Sequence, residues 1–279
     1  MSNVLAIYSG GSSGTTTRHG ARAARDLQRS VSRLASGERI TSAADDAAGV
    51  AVSETLHASQ RGTAQALRNA NDGISLLQTA LSTHHQISDR LIRMRELAVQ
   101  GASDTLTASD RQSLSKEFSR GAKDIDRLAA ASEFNGIGLL NGTAGNNGKI
   151  FFQISSEAGI SNGMTTELKA LNALILKVDN AHLSSAQSAQ QAIKSIDLAL
   201  IRTGDLEANL GADINQLGVA VDQLANQDMY LQGAHSQIRD TDFGRESAEM
   251  QRHQIQLQAT TAMQAQANAA GSMVLRLLQ

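Results

Sequence analysis

Residues 36–52 read SGERITSAADDAAGVAV, a stretch in which one helical pattern stops and another starts. Gly37 suits the left-handed position just past a helix end, so Ser36-Gly37 is read as a stop signal. Ser42 followed three residues later by Asp45 is a capping-box-like start. Asp46 adds negative charge beside the positive end of the next helix dipole. The alanines and Gly49 that follow leave room for another backbone to lie close. Arg39, between the two signals, belongs to the same linker.

Upstream, Ala23, Ala24, Leu27, Val31 and Leu34 recur at three- and four-residue steps and make one narrow helical stripe. The run YSGGSSGTTT at 8–17 comes before these helix signals and is read as a linker or terminal tail. Downstream the pattern passes through Val50, Leu56, Leu67, Ile74, Leu77 and Leu81 to Ile87, Leu91, Met94, Leu97 and Ala98, a helix of about 55 residues. Asn71-Asp72-Gly73 is a turn signal by local chemistry, but the periodicity runs through it in both directions and favours a continuous helix.

Residues 101–107 read as a loop, and Ser109 is the expected cap of a second helix whose buried face is Leu114, Phe118, Ile125 and Leu128. So short a connection makes the two helices antiparallel. The character changes between Glu133 and Thr165. Asn135-Gly136, Asn141-Gly142, Asn147-Gly148 and Asn162-Gly163 are hairpin dipeptides, and they surround the one convincing strand, Lys149-Ile150-Phe151-Phe152-Gln153-Ile154. LKALNALILKV at 168–178 fits strand or helix equally. Helical spacing returns from Ser184 to Ile238, and again from Phe243 through Met250, Ile255, Leu257, Met263, Val274, Leu275, Leu277 and Leu278. Both terminal segments are narrow-faced helices, marginal alone in water, so each needs a partner. The expected fold is mainly α, a long helical rod or coiled coil with paired terminal helices and a small β-hairpin region.

Composition agrees with thin helices packed through small side chains. The 279 residues are 41% hydrophobic but only 3% aromatic, with no Trp, Cys or Pro. Absence of cysteine excludes disulfides and thiolate metal sites. No 18 apolar residues are consecutive and no basic n-region precedes an apolar run, so neither membrane insertion nor a cleaved secretion signal is expected. The formal net charge of −2 gives no whole-chain attraction to nucleic acid.

Residues that carry chemistry are scattered. The histidines at 19, 57, 84, 85, 182, 235 and 253 form no H-E-x-x-H motif, and His84 and His85, on different sides of one helix, are read as solvated. Gly10-Gly11-Ser12-Ser13-Gly14 lacks the Lys-Ser/Thr of a phosphate loop. Asp45-Asp46 has no bulky apolar pocket to separate two carboxyl pKa values, which favours capping over acid–base catalysis. Arg18, Arg22, Arg25, Arg29 and Arg33 make a basic stripe, and the acidic Asp240, Asp242, Glu246 and Glu249 are its candidate partners. Asn141-Gly142-Thr143 fits a glycosylation acceptor but reads better as a turn. No cofactor, metal or catalytic group is expected.

SGERITSAADDAAGVAV, RNANDGISLLQTA at 68–80, RMRELAVQGAS at 93–103, IRDTDFGRESAEMQRHQI at 238–255 and LQATTAMQAQANAAGSMVLRLL at 257–278 occur in one order along the chain. In these motifs, over most of residues 31–140 and 190–279, the chain resembles the bacterial flagellins, and Phe134-Asn135-Gly136 is similar to the family's FNG turn. The resemblance implies a structural, non-enzymatic subunit of an extracellular flagellar filament that serves motility. It divides the chain into an N-terminal inner-tube helix and spoke at 1–42, rod helices at 43–133, a short variable segment at 134–185, a C-terminal rod helix at 186–239 and a C-terminal inner-tube helix at 240–279. The spoke residues it implies are Ser36, Gly37, Arg39, Ser42, Asp45 and Asp46, where small residues let adjacent subunits approach. The inner-tube positions are Leu27, Val31, Leu34, Ile255, Met263, Val274, Leu275 and Leu278.

The partners implied are further copies of the chain, a flagellar export apparatus and chaperone, and filament cap and hook-junction proteins. A flagellin-sensing Toll-like receptor is a further implied partner, with Leu91, Arg93 and Glu117 at the matching positions and Ile92 departing from the family's Gln. Two other departures are the late start of helix signals after residue 17, and Ala269-Ala270-Gly271-Ser272 where the family commonly has a Pro. A hook-filament junction protein is the nearest alternative, with a cytoplasmic coiled-coil scaffold behind it. An adhesin or enzyme carried in the variable region is a further alternative, with little room at 134–185.

Overall fold

A computed structural model describes residues 2–157, 159 and 163–277 of the chain, with side chains from residue 14 to 270 and at 272 and 273 apart from the gaps. Among the described residues there are six α-helices and four short strands: α1 (Ser2–Ser36), α2 (Ala47–Gly101), α3 (Ala108–Ala131), β1 (Glu133–Phe134), β2 (Ile137–Gly138), β3 (Lys149–Gln153), β4 (Gly163–Glu167), α4 (Ala173–Leu176), α5 (Ala186–Arg239) and α6 (Phe243–Leu277). The chain divides into two compact units, Met1–Ala58 with Tyr230–Gln279, and Ser59–Met229. Both limits fall inside long helices, whereas the expected boundaries near 42 and 240 fall at the linkers.

The second unit holds the core. Along α2 the positions turned inward are Thr63, Ala66, Ala70, Gly73, Leu77, Ala80, His84, Ile87, Leu91, Met94, Ala98 and Gly101, alternating steps of three and four without a break. That 3.5-residue period is a coiled-coil seam, and it explains why Asn71-Asp72-Gly73 does not turn. Gly73 is a seam residue whose missing Cβ would lie 3.1 Å from the Phe152 ring and 3.2 Å from Leu217. Helix α5 answers with Ala189, Ala192, Ile196, Ala199, Thr203, Leu206, Leu210, Leu217 and Leu224. Helix α3 adds Phe118, Ala122, Ile125 and Ala129. Its cap is Thr107, not Ser109. The Thr107 hydroxyl accepts the Asp110 N–H while the Asp110 carboxylate accepts the Thr107 N–H, a reciprocal box that satisfies two otherwise orphaned donors.

The described residues between 133 and 185 contribute to this core. Leu139, Leu140, Leu168, Leu171, Leu176, Val178 and Leu183 are buried with the helices. The ambiguous 168–178 stretch is extended chain followed by the four-residue α4, capped by Asn172, whose side chain accepts the Ile175 N–H at 2.9 Å. Strand β3 pairs antiparallel with β4, Phe151 opposite Thr165. A second hairpin, β1–β2, turns on Asn135-Gly136 at φ 50° and 78°, the two positive values that an Asn-Gly turn of type I′ requires. Strands of two residues carry no alternation, which is why the sequence showed the turn but not the strands. Asn141 closes its own turn by accepting the Thr143 N–H at 2.9 Å, as its reading as a turn requires.

In the first unit α1 and α6 pair along their lengths. Gln264 donates to the Thr17 hydroxyl at 3.2 Å, Gly20 faces Thr260, and Arg33 reaches Glu246, so the helices are antiparallel. Helix α1 begins at Ser2, so the run at 8–17 is helix and not a tail. The inward positions explain the missed signal. On α1 they are Thr16, Gly20, Ala23, Leu27, Ser30 and Leu34, and on α6 Met250, His253, Leu257, Thr260, Gln264 and Ala267. Both sets keep the three-four alternation of a coiled coil, but eight of the twelve members are small or polar and escape a search for large apolar residues.

Candidate functional site

The linkers between α1 and α2 and between α5 and α6 meet. Gly37, at φ +73°, ends α1 with its N–H donated to the Arg33 carbonyl at 2.8 Å. Ser36 accepts the Glu38 N–H at 3.1 Å. The two linkers then form an antiparallel bridge, Glu38 opposite Asp240. Its hydrogen bonds run from Arg39 N–H to the Arg239 carbonyl at 2.6 Å and from Thr241 N–H to the Gly37 carbonyl at 2.9 Å. The Arg39 guanidinium donates to the Ile238 carbonyl at 2.5 Å. Arg239 in turn pairs with Glu38 at 3.1 Å and reaches Glu54 at 3.8 Å. The backbone groups that leave the helix ends are thus satisfied by each other.

Asp45 accepts from the Thr41 hydroxyl at 3.0 Å and from the Ser42 N–H at 3.1 Å. Partial burial pushes its carboxyl up, but the hydrogen bonds from Thr41 and Ser42 outweigh that and hold it below the ordinary carboxylate value. The expected box at Ser42 is therefore half formed, and it closes a turn rather than a helix. The cap of α2 is Asp46, whose side chain accepts the Gly49 N–H at 2.9 Å. The space at Gly49 is used within the chain. A Cβ there would stand 2.6 Å from the buried Ile40 side chain and 2.5 Å from the Asp46 carboxylate. Ala47 and Ala48 are exposed.

Of the arginine stripe, Arg33 joins Asp45 at 3.9 Å and Glu246 at 3.8 Å, Arg29 pairs with Asp26 on its own helix at 3.5 Å, and Arg18, Arg22 and Arg25 point to solvent. At α6, Asp242 caps the first turn by accepting the Gly244 and Arg245 N–H groups. The cleft of about 620 Å³ between these elements is lined by five carboxylates against four guanidinium groups, a balance that favours internal pairing over a charged ligand.

The expected inner-tube residues divide. Leu27 and Leu34 sit in the α1–α6 seam, whereas Val31 is 43% exposed, Ile255 65% and Met263 64%. These three form no part of the pairing within the chain. The side chains of Val274 and Leu275, and the whole of Leu278, lie outside the described residues. Of the receptor positions, Arg93 and Glu117 are exposed and paired at 3.1 Å, with Glu96 also on Arg93 at 2.9 Å. Leu91 is fully buried in the α2 seam and offers no surface. His84, read as solvated, is fully buried as well, with only His85 in solvent. Sequence reasoning missed the buried Ile40, and it missed Glu38 and Arg239, whose signal was a charged residue beside each helix end facing the other linker. Among the described residues no helix is long and apolar enough to cross a membrane.

Residues 10–145 match the family described as the bacterial flagellin N-terminal helical region, and residues 193–278 the bacterial flagellin C-terminal helical region. A flagellin of Halalkalibacterium halodurans is 37% identical over 256 residues, covering 90% of this chain and 92% of that one. Flagellin FlaB1 of Treponema pallidum is 34% identical over 262 residues, with 89% and 91% covered. Among solved structures, Bacillus cereus flagellin superposes with a TM-score of 0.50 at 33% identity, covering 56% of this chain and 88% of that chain. With two family regions spanning most of its length and relatives that align nearly end to end, this chain belongs to the bacterial flagellins.

Proposed function

We infer that the chain is the structural subunit of an extracellular flagellar filament, assembled from many copies of itself. One observation carries the mechanism: α1 and α6 bury their small-residue seams against each other, yet Val31, Ile255, Met263 and Met273 remain in water on the same helices. These side chains are only about half exposed, so covering each contributes about 1–2 kcal/mol, and neighbouring copies supply the cover. In this reading the paired α1 and α6 line the inner tube through Val31, Ile255 and Met263. The linker cluster of Ser36, Gly37, Arg39, Ser42, Asp45 and Asp46 is the spoke that sets the exit angle of α2. The segments 43–133, 134–185 and 186–239 form the outer part of each subunit. The role is structural, as it is in the relatives, and a balanced, self-paired charge cluster fits that better than catalysis.

Export through a flagellar apparatus with a chaperone, and contacts with cap and hook-junction proteins, follow from the same reading. Receptor sensing rests on the exposed Arg93–Glu117 pair, with Leu91 shaping the helix from within. The experiment is seeded polymerisation of the purified chain followed by electron microscopy, with Ile255→Asp and Met263→Asp variants alongside. Long filaments from the parent and none from the variants are expected. Short caps from the parent under every seeding condition favour a junction protein, and filaments from both variants remove the apolar faces from the mechanism. Charge reversal at Arg22 and Arg25 separately tests pairing of the stripe between copies, and normal filaments from it count against that pairing.

A further inference from the structure

His84 occupies an inward position of the α2 seam, fully buried, between Ala80 and Ile87. Its Nε2 lies 2.8 Å from the Thr203 carbonyl oxygen of α5. A carbonyl can only accept, so Nε2 carries the proton and Nδ1 is left with a lone pair. That Nδ1 is buried and has no hydrogen-bond partner. Such a lone pair costs free energy unless something occupies it, and protein cores seldom leave one idle. On the same two helices, His85 Nε2 and Glu207 Oε1 are 3.1 Å apart. One ring nitrogen of each histidine and a Glu207 carboxylate oxygen all lie within 4.8 Å of one another.

We propose that His84, His85 and Glu207 bind a divalent transition-metal ion of the zinc class, linking α2 to α5. Two imidazoles and a carboxylate are a donor set that such ions take, with a fourth position left for water. Ligands about 2.1 Å from a tetrahedral ion stand roughly 3.4 Å apart, a little more than the His85–Glu207 separation. The donated Nε2–H of His84 to a backbone carbonyl is the outer contact that fixes a ligating imidazole in one tautomer. His85 and Glu207 are 55% and 50% exposed, so these two side chains are the ones that swing in to close the remaining distance. Helical spacing hid the site, because a search for histidines four apart skips an adjacent pair completed from a distant helix.

The test is calorimetric titration of the full-length monomer with zinc chloride, beside His85→Ala and Glu207→Gln, two exposed positions whose fold is checked by circular dichroism. One equivalent of Zn²⁺ is expected to bind the parent and raise its thermal midpoint, with affinity falling at least about ten-fold in each variant. Electron paramagnetic resonance of the Cu²⁺ form is expected to show two coordinating nitrogens. Absence of saturable binding, undiminished affinity in both folded variants, or a single coordinating nitrogen would each overturn the assignment.

Discussion

Gly37 carries the turn out of α1 at φ +73°, with a would-be Cβ 3.9 Å from the Phe243 ring, so space is available and backbone strain is the cost. A Gly37→Ala change is expected to destabilise the first unit by about 1–2 kcal/mol, read as a lower midpoint in urea unfolding. An unchanged midpoint would mean that the turn relaxes. Asp110 gives a test by pH. Hydrogen bonds from the side chain and backbone of Thr107 hold its carboxyl below the ordinary 3.8, so the folded state binds that proton less readily than the unfolded chain. This contribution is complete above the unfolded value and disappears as pH falls through the lower folded value. Parent and Asp110→Asn are therefore expected to differ in thermal midpoint at neutral pH and to converge near the acid limit. A gap that persists unchanged in acid would assign the effect to shape instead of charge.

At the scale of elements, the long helices were legible because their apolar residues keep helical spacing over many turns, and Gly73 was legible as helix for the same reason. The seams themselves were not. Thr63, Ala66, Ala70, Gly73 and His84 on α2, and Thr16, Gly20 and Ser30 on α1, occupy inward positions that only a partner helix defines. The linker bridge was half visible: the stop at Gly37 was read correctly and capping by the acidic pair only in part, since Asp46 caps α2 while Asp45 closes a turn, and Arg239 meeting Glu38 depends on two segments some 200 residues apart. Packing energies follow the seam. Phe118 on α3 is 1% exposed, and Phe118→Ala is expected to cost about 3–5 kcal/mol in the second unit. The exposed cross-helix pair Arg95–Asp197, at 2.7 Å, is expected to contribute less than about 1 kcal/mol. Chemical denaturation of Phe118→Ala and Arg95→Ala checks both, and a larger effect from Arg95 would reverse the ranking of packing over surface charge.

For the whole molecule, the two units differ in what they leave undone. The second unit buries Leu77, Ile87, Leu91, Met94, Phe118, Ile125 and Ile196 completely within one chain. The first relies on a two-helix seam of small residues with large apolar side chains still in water, a balance that helix pairing alone leaves marginal. Assembly is therefore expected to stabilise the first unit far more than the second. Hydrogen–deuterium exchange on monomer and polymer tests this most directly. In the monomer, α1 and α6 should exchange much faster than the inward positions of α2 and α5, and in the polymer α1 and α6 should become protected by at least about 100-fold, equivalent to roughly 2.7 kcal/mol. Equal protection of α1 and α6 in both states would contradict a filament held together through these helices.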